Sequence, residues 1–344
     1  MTPSPPPAAP AAAARERHAR ATRPPPRRAR DGLALRMSYE DLLDIARRAL
    51  AKPRDPDRLD QADPELMSAF AEPIWEAARA WFDLQIEGAE RVPDGPALVV
   101  ANHDSGMSFF EAIGWGAAMH LQRPHERWFG LGHDGIVDMP GVGRAMVAVG
   151  TIRARPNLAA AALREGHKVV VFPGGNPEAF RPFSQRYKVD LAGRTGWARL
   201  AIRNGVPVQP VVFCGGHAGF IVLSEGRRVA KLLRADKLLR VETWPLWFGF
   251  PWGLVWGPFF HVPLPVPVRV RMLDPIPTAH LGAAAADDPA QVATFVAEVL
   301  RVMQAAMDEL AAARATPWTD PEGDRRPAAL LRRVRRGLRG LRGG

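Results

Sequence analysis

Short apolar runs alternate along the chain with longer stretches of helical periodicity. The apolar runs predict buried strands at residues 97–101, 146–152, 168–172, 206–213 and 266–272. The periodic stretches predict helices at residues 38–51, 64–86, 109–121, 157–165, 194–204 and 289–313. Because strands and helices alternate, we expect an α/β fold, with a single domain in which a mostly parallel central sheet is flanked by helices.

Residues 243–268 break this alternation. The segment has 26 residues without a charged side chain, and it contains four Trp residues as well as Phe259 and Phe260. Six Pro residues argue against a membrane-spanning helix, since backbone groups would lack partners in hydrocarbon. We expect an aromatic loop that dips into a lipid interface or lines an acyl-chain groove, with a buried core segment as the alternative.

Positive charge is concentrated at the two ends of the chain, which has a net charge of +10. Residues 1–30 contain seven Arg and one Glu, and the last twenty residues contain eight Arg and no acid, so the remainder is net negative. We therefore expect a disordered basic Pro/Ala/Arg tail (1–30), a helical lead-in (31–63), a main α/β domain (64–315) and a basic Arg/Leu tail (316–344). The second tail suits an anionic membrane surface, with a solvated tail or RNA binding as alternatives.

Two of the apolar runs end at residues that can do chemistry. Residues 97–101 lead into Asn102 and His103, and residues 168–172 lead into a Pro-Gly-Gly turn. Open α/β sheets bind ligands at the carboxyl ends of their strands. A histidine at that edge can take a hydroxyl proton near neutral pH, and a glycine turn can offer amides to a carbonyl oxygen. This pair predicts acyl transfer, with His103 as the general base.

Four ordered blocks carry a family resemblance, at residues 86–103, 150–156, 172–179 and 194–212. They resemble the motifs of the glycerolipid (lysophospholipid) acyltransferase family, most closely its branch of mono- and diacylglycerol acyltransferases, over a motif core of residues 86–277. The resemblance implies transfer of a fatty acyl group from acyl-CoA or acyl carrier protein to a hydroxyl of a lysophospholipid, monoacylglycerol or diacylglycerol. It also implies that His103 promotes direct attack on the thioester, with no covalent enzyme intermediate.

The acidic partner of His103 departs from the family pattern. In the family an Asp most often follows the His by five residues, and here that position is Ser108. Glu111 fits the longer gap of some relatives with one inserted residue; Ser108 as a weak acceptor and the absence of any partner are the alternatives. Asp104 is a second nearby carboxylate. Without a partner, the rival function is a catalytically degenerate protein that binds lipid or acyl-CoA.

The Pro-Gly-Gly turn and the residues after it are predicted to bind substrate. Gly174 and Gly175 would allow the backbone to approach a thioester oxygen or an acceptor head group. Glu178 and Arg181 stand where relatives place acceptor-binding residues. Their predicted role therefore follows from the resemblance.

Two arginines of the second block are predicted to bind phosphate. Arg153 and Arg155 would pair with a phosphate of coenzyme A or of a lysophospholipid. Arg194 and Trp197, at the start of the fourth block, are expected to be scaffold residues.

Other chemistries have less support in the sequence. Residues 130–135 match the letters of a dinucleotide-binding pattern, but no strand is predicted before them and Arg153 stands near the place of the ribose-binding acid. The histidines lack metal-ligand spacing, and Cys214, the only cysteine, is expected in the core. We expect no metal and no cofactor beyond an acyl-CoA or acyl carrier protein co-substrate, and no nucleic-acid partner. The protein is expected on the cytoplasmic side of a membrane, peripheral or monotopic.

Overall fold

The computed structural model describes residues 39–238 and 241–314, and both predicted basic tails lie outside these residues. The helices are α1 (Tyr39–Ala51), α2 (Pro64–Phe82), α3 (Phe110–Gln122), α4 (Asp134–Val137), α5 (Val142–Ala148), α6 (Pro156–Arg164), α7 (Gly175–Ala179), α8 (Gly196–Asn204), α9 (Arg227–Leu232), α10 (Ala235–Leu238) and α11 (Pro289–Ala312). The strands are β1 (Gln85–Glu87), β2 (Ala97–Ala101), β3 (Trp128–Gly132), β4 (Thr151–Arg153), β5 (Lys168–Val171), β6 (Val208–Cys214), β7 (Ile221–Ser224), β8 (Leu246–Gly249), β9 (Gly253–Trp256) and β10 (Arg269–Met272).

Seven strands form the central sheet, in the order β1-β10-β6-β2-β5-β3-β4. Strands β6, β2, β5, β3 and β4 run parallel to one another, whereas β10 is antiparallel to β6 and parallel to β1. Five carboxyl ends therefore meet at one edge of the sheet, where α/β folds place their ligands. The predicted fold, a mostly parallel sheet flanked by helices in one domain, is confirmed.

Strand β2 shows why both faces of this sheet are covered. Leu98 and Val100 pack into one core with residues of α6, α8 and α11, whereas Val99 and Ala101 face α2 and α3. None of these four side chains reaches solvent, and fully burying an aliphatic side chain contributes about 1.5–3 kcal/mol. Strand β2 contains no polar residue, and polar side chains begin directly after it, at Asn102 and His103.

Helix α2 ends earlier than the sequence predicts. Asp63 caps its N-terminus, since the Asp63 carboxylate accepts the Leu66 N–H (3.1 Å), and Pro64 occupies its first turn. It stops at Phe82, because Asp83 takes a left-handed backbone conformation (φ 47°). Residues Gln85–Glu87 then pair with β10 as strand β1. The predicted extension of the helix to residue 86 is wrong.

The strand predicted at residues 146–152 is also wrong. Helix α5 ends at Ala148, and only Thr151–Arg153 form a strand. Gly150 separates the two with a φ of 93°, and a Cβ there would lie 2.8 Å from the Trp128 carbonyl oxygen. Periodicity does not distinguish a short buried helix from a short buried strand. The missed strand β3 lies beside β4 and ends within residues 130–135, so these residues do follow a strand.

Residues 243–268 contain a hairpin where an irregular loop was predicted. Strands β8 and β9 pair antiparallel, and β7 adds to β8 to complete a second, three-stranded sheet, called here the aromatic sheet. Trp247 is fully buried on one face with Phe220, whereas Phe248, Leu254 and Trp256 are exposed on the other face. The buried-core alternative therefore holds for one face of the hairpin. Within residues 39–238 and 241–314, no helix is long and apolar enough to cross a membrane.

Candidate active site

Asn102 fixes the point at which the chain leaves the central sheet. Its Nδ2 donates to the Phe213 carbonyl (3.0 Å), and its Oδ1 accepts the Phe213 N–H (2.9 Å). A side-chain amide carries a donor and an acceptor, as a peptide group does, so Asn102 continues the pairing of β2 with β6 through its side chain. The main chain is thereby released, and His103 begins the loop at the sheet edge.

The main chain of His103 is held by two charged residues of the third motif. Its N–H donates to Oε2 of Glu178 (2.9 Å), and its carbonyl accepts from Nη1 of Arg181 (2.6 Å). Glu178 lies in α7, Arg181 follows two residues after that helix, and both side chains are buried. Sequence reasoning gave both residues an acceptor-binding role. In the structure, their contacts position the histidine.

Arg181 is surrounded by oxygen atoms. Besides the His103 carbonyl, its guanidinium donates to the carbonyls of Glu178 (3.0 Å), Gln185 (3.1 Å) and Arg186 (2.8 Å). It also pairs with Asp104 at 3.3 Å, in an ion pair whose side chains are both nearly inaccessible to solvent. Burial raises the pKa of Asp104 to about 7, against the lowering effect of Arg181. The guanidinium therefore joins the His103 loop to the segment after α7.

The imidazole of His103 is enclosed by aromatic rings. The ring centroids of Phe109 and Phe172 lie 5.2 and 5.0 Å from that of His103. Burial, followed by the charges of Arg181 and Arg194, lowers the pKa of His103 to about 3, while a hydrogen bond with the main chain of Phe172 raises it in part. The ring is therefore neutral at neutral pH, which is the form a general base needs.

Phe109 reaches the imidazole from a strained backbone position. Its φ of 51° and ψ of 12° lie in the left-handed region at the start of α3, which a bulky residue seldom occupies. Such strain persists only where the surrounding structure enforces it, and it clusters at functional sites.

Neither Glu111 nor Ser108 makes a hydrogen bond to the His103 ring. Glu111 is buried and accepts a hydrogen bond from the Ser105 hydroxyl, while the Ser108 hydroxyl donates to the Ser105 carbonyl (2.7 Å). Burial raises the pKa of Glu111, and the Ser105 hydrogen bond opposes this rise. Among the described residues no carboxylate pairs with the imidazole, and the main chain of Phe172 is its polar partner.

The two glycines of the Pro-Gly-Gly turn accommodate neighbouring side chains. A Cβ on Gly174 would lie 2.1 Å from Oε2 of Glu178, and a Cβ on Gly175, whose φ is 55°, would lie 2.3 Å from Nη1 of Arg194. The Gly175 N–H donates to the Phe172 carbonyl (3.3 Å). The turn thus allows Glu178 to reach the main chain of His103, a role that sequence reasoning did not foresee.

Arg194 is a second feature that sequence reasoning missed, since we expected it to be scaffold. Its guanidinium donates to the Pro173 carbonyl (3.0 Å) and pairs with Glu242 (2.5 Å), and its side chain remains 43% exposed. Its charge lowers the pKa of His103, so it lies within electrostatic range of the imidazole. A half-exposed cation near this imidazole is suited to stabilising negative charge on a carbonyl oxygen.

Arg153 and Arg155 lie at the far end of the same sheet edge. Strand β4 is three strands from β2, which corresponds to roughly 14 Å. Arg153 pairs with Asp57 (3.1 Å), Asp134 (2.8 Å) and Asp138 (2.7 Å), and only 11% of its side chain is exposed. Arg155 is exposed and makes a longer contact of 3.4 Å with Asp57. The structure therefore does not bring this pair to His103, and it leaves Arg155 the more accessible of the two.

Two further buried histidines border the His103 loop. The Nε2 of His217 lies 2.8 Å from the Arg181 carbonyl oxygen. His261 contacts the loop itself, since a Cβ on Gly106 would lie 2.9 Å from its Cε1. Burial lowers the pKa of His261 to about 4, and neither of its ring nitrogens has a hydrogen-bond partner among the described residues. Spacing in the sequence gave no signal for either histidine.

The comparisons with known proteins agree on one family. A family model described as Acyltransferase matches residues 83–214, which include β2, His103 and the Pro-Gly-Gly turn. An uncharacterized protein of Mycobacterium tuberculosis is 30% identical over 255 residues, covering 73% of this chain and 68% of that protein. The chain belongs to the acyltransferase family. The resemblance inferred from the four motifs is confirmed.

Two more distant similarities were also found. The mouse protein named DGAT1/2-independent enzyme synthesizing storage lipids is 24% identical over 225 residues, covering 62% of each chain. The crystal structure of the 1-acyl-sn-glycerophosphate (LPA) acyltransferase PlsC from Thermotoga maritima covers 78% of this chain and 88% of its own, at 18% identity and a TM-score of 0.45.

The site of this acyltransferase combines a neutral imidazole, a nearby cation and a dehydrated setting. Within the residues that the structure describes, no three His, Cys, Asp or Glu side chains lie close enough together to hold a metal ion. The described side chains at this edge include an imidazole that could accept a proton, at His103, and a partly exposed cation, at Arg194.

Proposed function

We propose that this acyltransferase moves a fatty acyl group from an acyl thioester, of coenzyme A or acyl carrier protein, to a hydroxyl of a glycerolipid. The observation that carries the proposal is the setting of His103. Its neutral ring lies at the carboxyl end of a central strand, and Glu178 and Arg181 hold its main chain inside the family-matched span. That arrangement fixes a proton acceptor at the edge where this fold binds ligands.

The proposed reaction is a direct displacement. The acceptor hydroxyl oxygen forms a bond to the thioester carbonyl carbon as Nδ1 or Nε2 of His103 takes its proton. The carbon–sulfur bond then breaks, and the imidazolium returns the proton to the leaving thiolate, which yields an ester and a thiol. Arg194 stabilises the negative charge that develops on the carbonyl oxygen, and the main chain of Phe172 orients the imidazole.

We assign the acceptor to the glycerolipids, with mono- or diacylglycerol and lysophospholipid as the candidates. The name of the mouse relative, a storage-lipid enzyme, supports a neutral lipid. The Pro-Gly-Gly form of the third motif, which resembles the mono- and diacylglycerol branch, supports the same acceptor.

Of the two arginines of the second motif, we propose that Arg155 contacts a substrate phosphate. Arg153 is already paired with three carboxylates, whereas Arg155 is exposed and loosely paired. Arg155→Ala should raise the KM for a phosphate-bearing substrate by about tenfold, since a charge-assisted contact contributes roughly 1.5 kcal/mol. Arg164→Ala, which removes an exposed arginine of α6, is the matched control. Equal KM values for the two variants would show that Arg155 does not contact the substrate phosphate.

A second candidate is a non-catalytic protein that binds acyl-CoA or lipid. It is favoured by the lack of a carboxylate on the His103 ring among the described residues. Restoring the family residue separates the two functions. Ser108→Asp should create turnover in a decayed enzyme, whereas in an active enzyme it should leave the existing turnover within a few-fold.

The deciding experiment measures thiol release from a long-chain acyl-CoA by the purified full chain. A panel of mono- and diacylglycerols and lysophospholipids serves as acceptors, and mass spectrometry identifies the product. His103→Gln should lower turnover by about 10²- to 10⁴-fold, while His125→Gln, at an exposed position, should not change it. Bound acyl-CoA without product from the wild type would instead support the non-catalytic candidate.

A further inference from the structure

The exposed face of the aromatic sheet has no role in the chemistry proposed above. Of the fifteen exposed large apolar side chains among the described residues, eight lie within residues 248–262. They are Phe248, Phe250, Trp252, Leu254, Trp256, Phe259, Phe260 and Val262. A contiguous exposed patch of this kind marks an interaction surface, because a monomer in water gains nothing from it.

This face is built as a rigid platform. Phe248 lies opposite Leu254, and Leu246 lies opposite Trp256, so cross-strand pairs present these side chains on one side of β8 and β9. At the tip, Trp252 Nε1 donates to the Phe260 carbonyl (2.8 Å), and the Val262 N–H donates to the Phe250 carbonyl (3.0 Å). The segment that returns from the hairpin is thereby fastened to the tip.

Positive charge borders the apolar face. Strand β7 is followed by residues 227–238, which form α9, α10 and the link between them. The cationic side chains of Arg227, Arg228, Lys231, Arg234 and Lys237 in this segment are all exposed. The backbone at Gly226, just before α9, packs against Trp244, since a Cβ there would lie 1.9 Å from the Trp244 carbonyl oxygen. Of the acids in and beside this region, Glu225 pairs with Arg227 and Glu242 pairs with Arg194, while Asp236 lies within α10 itself.

Residues that pack on the buried side of the same sheet contact the active site. Phe220, Trp247 and His261 form a ring cluster, with centroid separations of 4.5 Å (Phe220 to His261) and 5.2 Å (Trp247 to His261). His261 and Phe220 both abut Gly106, three residues after His103. At the other catalytic segment, the Thr243 N–H donates to Oδ1 of Asn176 in α7 (2.9 Å). The segments that flank the strands of the aromatic sheet therefore contact both segments that build the site.

We propose that the exposed face of the aromatic sheet docks on the surface of an anionic glycerolipid bilayer and holds the His103 site at that surface. Trp and Phe side chains beside a cationic border match the interfacial and head-group layers of such a membrane. A second copy of the chain fits less well, because each copy would bring its five cations toward those of the other. The docking is inferred from these surface features alone. Its purpose, to hold His103 where a lipid acceptor is available, rests on the proposed function.

The test is vesicle binding by the full chain. Sedimentation with phosphatidylcholine vesicles, with and without phosphatidylglycerol, is compared for the wild type and for the triple variant Phe250→Ser, Trp252→Ser, Trp256→Ser. The variant should bind anionic vesicles at least about tenfold more weakly. The matched control, Leu50→Ser, Leu121→Ser, Val142→Ser, removes exposed apolar side chains from other elements and should bind as the wild type does.

Two further measurements keep the result decisive. Arg228→Glu with Lys231→Glu should remove most of the preference for phosphatidylglycerol, and circular dichroism should show that each variant is folded. His103→Gln should bind vesicles normally even if no enzymatic product is ever found, which separates this proposal from the proposed function. Equal binding by the triple variant and the control would overturn the docking surface. A dimer in light scattering that the triple variant alone disrupts would also overturn it, in favour of a second copy.

Discussion

The His103 loop and the aromatic sheet are in contact, but they differ in which side chains they bury and which they expose. In the loop, charged groups such as Arg181, Asp104 and Glu178 are buried, and main-chain atoms satisfy them. In the hairpin of the aromatic sheet, large apolar groups such as Trp252 and Phe250 are exposed in the part of the chain that the structure describes. A buried charge is stable only when it is paired, and a large exposed apolar patch marks a surface at which another molecule binds. The polar groups of the first region are therefore paired within the folded chain, whereas the second is the surface that we propose to dock on a bilayer.

The sharpest test of this contrast lies within one hairpin. Trp247 is fully buried and donates Nε1 to the Gly257 carbonyl (2.7 Å), while Trp256 on the opposite face is 58% exposed. Trp247→Ala should lower the free energy of unfolding by about 3–5 kcal/mol, and Trp256→Ala should lower it by less than about 1 kcal/mol. Denaturant titration measures both. Similar losses for the two variants would mean that the faces are not distinct.

The buried ion pair should rank next. Arg181→Leu leaves Asp104 and several carbonyls without their donor, so it should cost about 3 kcal/mol of unfolding free energy. The control is Arg203→Leu, which removes an exposed pair with Asp287 and should cost less than about 1 kcal/mol. If Arg181→Leu proved as mild as the control, the loop would not depend on buried charge.

The neutrality of His103 predicts a pH dependence of stability. Its folded-state pKa of about 3 lies below the ordinary value of 6.5, so the unfolded chain gains a proton as pH falls through 6.5 and the folded chain does not. The neutral ring therefore contributes stability above pH 6.5 that is lost as pH falls toward 3. His103→Gln lacks this loss, so wild-type stability relative to the variant should drop by about 2 kcal/mol between about pH 7 and pH 5.

Two buried carboxyl groups contribute to stability with the opposite pH dependence, but they do not obscure that measurement. The pKa values of Asp104 and Glu178 are both raised to about 7 by burial, so their contribution is present at low pH and is lost as pH rises through about 7. Both groups remain in His103→Gln, and their effect largely cancels in the difference between the two proteins. A difference that stays constant with pH would contradict a buried, neutral His103.

The smallest effect is expected at the Pro-Gly-Gly turn. Gly174→Ala would force a Cβ against Glu178 and the Asp190 carbonyl oxygen, which should cost about 1–3 kcal/mol and lower turnover by displacing the support of His103. Gly116→Ala, in α3 with open space around it, should instead stabilise the chain by up to about 1 kcal/mol. Unchanged stability and turnover for Gly174→Ala would show that Glu178 can move without cost.

The strands that position the site could be predicted because a buried strand has a simple sequence pattern. The runs before His103 and Pro173 are uninterrupted and apolar, so both strands and their shared edge could be predicted. Strand β3 was missed because its five residues include two glycines, which are uncommon in strands. The hairpin was missed because turns and strands there share the same Trp, Phe and Gly residues.

The partners of the site residues could not be predicted in the same way. Arg181 and Asp104 are 77 residues apart, and no local pattern records such a pairing. The position of Glu111 in the sequence suggested a partner for His103. In the structure, the carboxylate of Glu111 instead accepts a hydrogen bond from the Ser105 hydroxyl. Side-chain pairing depends on the angles at which α3 and α7 meet the sheet, and these angles are set by packing across the whole domain.

The most direct test of the account is an NMR pH titration of the His103 ring in the full chain, with its signal assigned by loss in His103→Gln. A buried base without a carboxylate should remain neutral down to about pH 5, because burial lowers its pKa and no acid raises it. A midpoint at or above 6.5 would reveal an exposed ring or a carboxylate partner, and it would contradict the site described above.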